Sequence, residues 1–114
     1  MIIYKILRAA EWAALRDNGT SSGAPIDVAD GYIHFSTAET VAETAAKHFA
    51  GENDSMLLAY NGADFGDALK YEISRGDQLF PHLYAPLALD GALWIKPLLF
   101  DGNKHIFPKE VPCD

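Results

Sequence analysis

The chain has 114 residues, 49% hydrophobic and 22% charged, which excludes a disordered protein and is enough for one core without disulfide staples. Its net charge of −7, from 16 acidic and 9 basic residues, repels a phosphate backbone and excludes non-specific nucleic-acid binding. One cysteine, Cys113, excludes an internal disulfide, and no apolar run approaches the roughly 20 residues of a membrane helix, so a single domain over 1–114 in a reducing cytoplasm is expected.

Residues 2–7, Ile-Ile-Tyr-Lys-Ile-Leu, are β-branched and aromatic enough for a first strand. A helix follows over 9–17, with Trp12 and Leu15 facing inward and Gly19 suited to its C-terminal cap. Its start is poorly marked, because Arg8 and Ala9 are weak caps. Residues 18–30, rich in Gly, Ser, Thr and Asp, read as a long loop. A strand over 31–36 leads into a helix from about 37 to 50. Ser36 and Glu39 have capping-box spacing, and Ala38, Val41, Ala42, Ala45 and Phe49 form its apolar stripe.

Residues 55–60 read as a buried strand and 62–68 as a loop or short helical turn. Lys70 to Ile73 alternates, with Tyr71 and Ile73 expected inside and Lys70 and Glu72 outside. A turn at 74–77 precedes a short strand at 82–85. A longer strand spans 92–100, with Pro97 marking an edge or bulge. Strands gathered after helices predict an α+β domain with antiparallel sheets.

Two segments carry chemistry. In Gly-Tyr-Ile-His-Phe-Ser-Thr at 31–37, Tyr32, His34 and Ser36 share a face. In Phe-Pro-His-Leu-Tyr at 80–84, His82 and Tyr84 do the same. Two imidazoles and several hydroxyls lining one cleft would hold a small molecule, and the helix start after Ser36 and Thr37 would favour an anionic group. Arg75, in Ser-Arg-Gly-Asp, could grip a phosphate or carboxylate through its fork of donors. Glu72 reads as solvent-facing. The four histidines lack metal-ligand spacing, so no metal is expected.

These segments, with Ala-Ala-Lys-His-Phe at 45–49, Gly-Asp-Ala-Leu-Lys-Tyr-Glu at 66–72 and Leu93-Trp94, resemble a small bacterial family catalogued as domain of unknown function 952. The resemblance covers nearly the whole chain. It implies an ADP-ribosyltransferase-like fold: a split antiparallel β core with two helices in the N-terminal half and a cleft that binds NAD. It further implies His34 and His82 as catalytic residues, with Ser36 or Thr37 and Tyr84 around the nucleotide. Tyr32, by its shared face, and Arg75, by its fork of donors, join the expected binding residues. Phe35 stands where many relatives carry glycine, and no late Glu-x-Glu or Gln-x-Glu pair is present. The expected activity is ADP-ribosyl or nucleotidyl transfer from NAD or a related nucleotide. The alternatives are a binding module without turnover, or a protein-interaction domain presenting Trp94, Phe100 and Phe107.

Overall fold

The computed structural model describes residues 1–112, together with the backbone but not the side chain of Arg75. Cys113 therefore lies outside the described residues. In chain order the elements are β1 (Ile2–Leu7), α1 (Ala9–Asn18), β2 (Thr20–Ser21), α2 (Pro25–Asp30), β3 (Ile33–His34) and α3 (Val41–His48). They continue with β4 (Ser55–Asn61), β5 (Leu69–Ile73), β6 (Leu79–Leu83), β7 (Leu87–Ala88), β8 (Trp94–Phe100) and β9 (His105–Ile106). Short 3-10 turns occupy Gly62–Ala68, Arg75–Asp77 and Leu89–Gly91.

The expected α+β class holds, with every strand pair antiparallel. One sheet has the order β1-β4-β8-β9, a second β3-β6-β5, and β2-β7 form a small ribbon. The first two are stitched together where the backbones of Tyr4 and Ser36 exchange two hydrogen bonds of 2.8 Å. That bridge curls the sheets around β1. β1 is consequently buried on both faces. Ile3 and Leu7 pack with Leu15, Ile33, Phe35 and Leu83 in one core, while Tyr4 and Ile6 pack with Val41, Ala45 and Phe49 beneath α3 in the other.

Helix α1 starts where Glu11, at its third position, reaches back to the Arg8 N–H at 2.9 Å, so an acidic side chain marks the start that the cap residue does not. It ends at Gly19, whose φ of 78° lets its N–H reach the Leu15 carbonyl at 2.8 Å. A Cβ at Gly19 would meet nothing within 4 Å, so Gly19→Ala isolates the backbone term. The substitution is expected to cost about 1 kcal/mol in a urea melt.

Three sequence expectations are corrected. Residues 25–30 of the expected loop form α2, a third helix in the N-terminal half rather than two. Pro25 supplies the fixed φ of a first turn, and Asp27 takes the Ala24 N–H at 2.7 Å. Second, α3 begins at Val41. Ser36 is committed to its bridge with Tyr4, so no capping box forms at Ser36 and the 37–40 segment is a turn. Ala42 is exposed rather than part of the buried stripe. Third, Tyr71 and Ile73, expected inside, are exposed; Lys70 is exposed as expected, and Glu72 is half exposed with its carboxylate turned to His82.

Candidate functional site

The strand register brings the two histidines together. Phe35 donates its N–H to the Pro81 carbonyl at 2.9 Å, which makes the neighbouring His34–His82 match a non-hydrogen-bonded pair. In such pairs the side chains stand closest. The imidazole centroids are 5.4 Å apart, edge to face. Tyr32, two residues before His34 on the same face, lies 4.2 Å from the His82 ring in a stacked arrangement and 4.7 Å from His34. Tyr84 completes the cluster, 5.2 Å from Tyr32.

Each histidine is backed by carboxylate. His34 Nδ1 is 2.6 Å from Asp27 Oδ1, and its Nε2 is 3.0 Å from Asp30 Oδ2. The backbone N–H of His34 also donates to Asp27 Oδ1 at 3.0 Å, so one carboxylate fixes both ring and main chain. Asp27 is itself buried beside Lys5, whose Nζ donates to its Oδ2 at 2.7 Å and to the His34 carbonyl at 3.0 Å. Burial alone would raise the Asp27 carboxyl. The hydrogen bond from His34 and the charge and hydrogen bond of Lys5 outweigh it and hold Asp27 at about 2. Burial pushes the Lys5 ammonium down, against the opposing pull of Asp27.

His82 is buried, its side chain 4% exposed, and its Nδ1 is 2.7 Å from Glu72 Oε1. The same oxygen accepts from the Tyr84 hydroxyl at 2.8 Å. These two hydrogen bonds, from His82 and then Tyr84, lower the Glu72 carboxyl, while the bond to Glu72 raises the Tyr84 phenol. An ionised carboxylate only accepts, so Nδ1 of His82 carries a proton and Nε2 is the basic nitrogen of the neutral ring. A histidine so oriented can move a proton.

Both imidazoles line a cleft of about 620 Å³. Phe35, Phe49 and Phe80 give it apolar wall, and Ser36, Thr44 and Arg8 give it polar groups. Its volume falls in the range of small-molecule sites. Ser36 Oγ donates to Thr44 Oγ1 at 3.1 Å, and Arg8 is held by both oxygens of Glu52 at 2.9 and 3.2 Å.

Of the expected site residues, Tyr32, His34, His82 and Tyr84 form one ring cluster; His34, His82 and Ser36 line the cleft, while Tyr32 and Tyr84 lie beside it. Thr37 is turned into its local loop, its N–H 3.0 Å from Thr40 Oγ1. Arg75 sits in the turn after β5, with its side chain outside the described residues. Asp27, Asp30, Glu72 and Lys5 were not anticipated. The available signal was Lys5, a lone ammonium inside an apolar strand, which demands a buried acid. Trp94 and Phe107, expected on an interaction surface in one alternative, are half-buried against the α3 core. Among the described residues, no three metal-ligating side chains converge and no helix is long and apolar enough to cross a membrane.

A family model described as "Protein of unknown function (DUF952)" matches residues 6–95. The crystal structure of protein CC0527 from Caulobacter crescentus is 42% identical, covers 93% of this chain and 94% of that one, and superposes with a TM-score of 0.87. A double mutant of CC0527 gives the same values. Its solution structure is 43% identical over 91% of this chain and 90% of that one, with a TM-score of 0.81. No functionally curated protein matches the chain.

Proposed function

Since the chain belongs to the DUF952 family, whose description assigns no chemistry, we propose from the site itself that it binds NAD or a closely related nucleotide and transfers the ADP-ribosyl group. The observation that carries this reading is the Tyr32–His34–His82–Tyr84 cluster with Glu72 at its rim. Two bridged antiparallel sheets around a cleft support placing the fold with the ADP-ribosyltransferase-like superfamily.

The chemistry assigns a part to each group. Tyr32 and Tyr84 supply ring faces for nicotinamide. His34 Nε2 holds a ribose hydroxyl that takes the place of the half-exposed Asp30 carboxylate, with the ring set by Asp27 at Nδ1. In the transfer, the bond from the ribosyl C1′ to the nicotinamide nitrogen breaks and its electron pair leaves with nicotinamide. An acceptor oxygen, from water or a second substrate, forms the new C1′–O bond. Its proton passes to Nε2 of His82. The ionised Glu72 stabilises the positive charge that develops on the ribosyl carbon. It supplies the acid absent from the late part of the sequence.

Calorimetric titration of NAD and ADP-ribose into wild type and His34→Ala tests the reading. Wild type should bind, and His34→Ala should weaken binding about tenfold or more, the worth of a charge-assisted hydrogen bond. Chromatographic release of nicotinamide should follow. Binding without release would select the non-catalytic module. Failure of wild type to bind either ligand would remove NAD from the cleft.

A further inference from the structure

We infer that β5 is the contact edge of a homodimer, pairing antiparallel with β5 of a second copy about a two-fold axis at Tyr71. The backbone directions come from two sets of hydrogen bonds. Tyr84 donates to the Ala68 carbonyl at 2.7 Å and Ser74 to the Gln78 carbonyl at 2.9 Å. Even-numbered positions of β5 therefore bond to β6. This parity agrees with Pro81, which has no N–H to give and stands opposite Tyr71. The peptide groups of Leu69, Tyr71 and Ile73 consequently point away from β6. β5 ends its sheet, and the N–H groups of Tyr71 and Ile73 donate to no backbone group among the described residues.

A free edge alone invites no particular partner, and edges are often blunted by charge. Here the charges select a second copy. With Tyr71 opposite itself, Lys70 falls opposite Glu72 of the other chain, and Glu72 opposite its Lys70. Both are non-hydrogen-bonded positions, where side chains approach closest. The same register sets Leu69 against Ile73 and Tyr71 against Tyr71. Four backbone bonds form: Tyr71 N–H to Tyr71 carbonyl twice, and Ile73 N–H to Leu69 carbonyl twice. The Leu69 N–H is already used within its own chain, by the Gly66 carbonyl.

The apolar side chains agree. On the face opposite Glu72, Ile73 is 68% exposed, Leu79 54% and Tyr71 40%. They form an apolar strip on a hairpin that outruns its own core. Pairing covers this strip and makes one continuous six-stranded sheet. Lys70 of the second copy then stands beside Glu72, on the rim of the His82 site. So short a pairing is of the weak, concentration-dependent kind.

Sedimentation velocity over a concentration series tests this without any ligand, so its failure leaves the nucleotide reading intact. Wild type should rise from the 12.5 kDa chain mass toward twice that value. Tyr71→Pro deletes an N–H that the monomer does not use, and should keep its circular dichroism while staying monomeric. Lys70→Glu, on an exposed side chain, sets like charges opposite each other twice and should weaken association roughly fivefold. It keeps the test decisive should the proline variant misfold. A wild type that remains at 12.5 kDa up to about 1 mM, or a dimer indifferent to Lys70→Glu, overturns the inference.

Discussion

Asp27→Ala should lower the unfolding free energy by about 3–5 kcal/mol, the cost of leaving a buried charge without its partner. Lys5 and Asp27 are both buried and sit 2.7 Å apart. Removing the carboxylate strands the Lys5 ammonium under α2. Three further donors lose their acceptor: the N–H of Ala24, the N–H of His34 and the His34 ring. Gly23 shows how tightly the carboxylate is seated, since a Cβ there would stand 2.2 Å from Asp27 Oδ2. The loss should appear as a fall in urea midpoint with the slope unchanged. The double variant Lys5→Met, Asp27→Leu should recover much of it, because two apolar side chains avoid burying unpaired charge. A loss below about 1 kcal/mol in Asp27→Ala would mean that Lys5 finds water or another anion, and the buried pair would not be the anchor of α2.

The same carboxylate explains much of what the sequence hid. β1, α1 and β4 were legible because their residues obey one local rule each: apolar runs for strands buried on both faces, and a glycine at a left-handed helix end. α2 was not, since Ser, Gly and Asp around it carry a loop composition. What makes it a helix is Pro25 at its start and an Asp27 whose partners, Lys5 and His34, lie 22 and 7 residues away. Tyr71 and Ile73 were misread for a different reason. Alternation reveals two faces but not which one is covered. The β5–β6 hairpin reaches past its core, so Ile73 and Leu79 stay exposed while the polar face closes over His82. Tyr32, His34, His82 and Tyr84 were found because period-2 spacing fixes faces, and two strands with histidine faces pair directly. The capping box at Ser36 failed because a backbone bridge to Tyr4, 32 residues earlier, claims that position and delays the helix. Local spacing reads well where local bonds decide, and poorly where a distant ion or strand does.

Acid should remove about 2 kcal/mol of stability through Asp27 alone. Its carboxyl is held at about 2 in the folded chain against an ordinary value of 3.8. A depressed acid means that the unfolded chain binds the proton first, so stability falls as protons are added. The contribution is complete above pH of about 4 and is lost as the pH falls toward about 2. Urea midpoints measured at neutral pH and at steps down to pH of about 2 should trace this limb in wild type. In Asp27→Ala the same interval should be flatter. Glu72, Asp101 and Glu110 are also lowered, but they lie nearer solvent, and their share should shrink in added salt. The Asp27 share should not, because Lys5 and His34 hold it where counterions do not reach. Wild type and Asp27→Ala losing stability in parallel, at high salt, would place the acid-sensitive group elsewhere. Under the proposed nucleotide reading the same titration reaches the site: protonating Asp27 weakens its hold on His34 Nδ1, so nucleotide affinity should fall along the same limb, ahead of global unfolding.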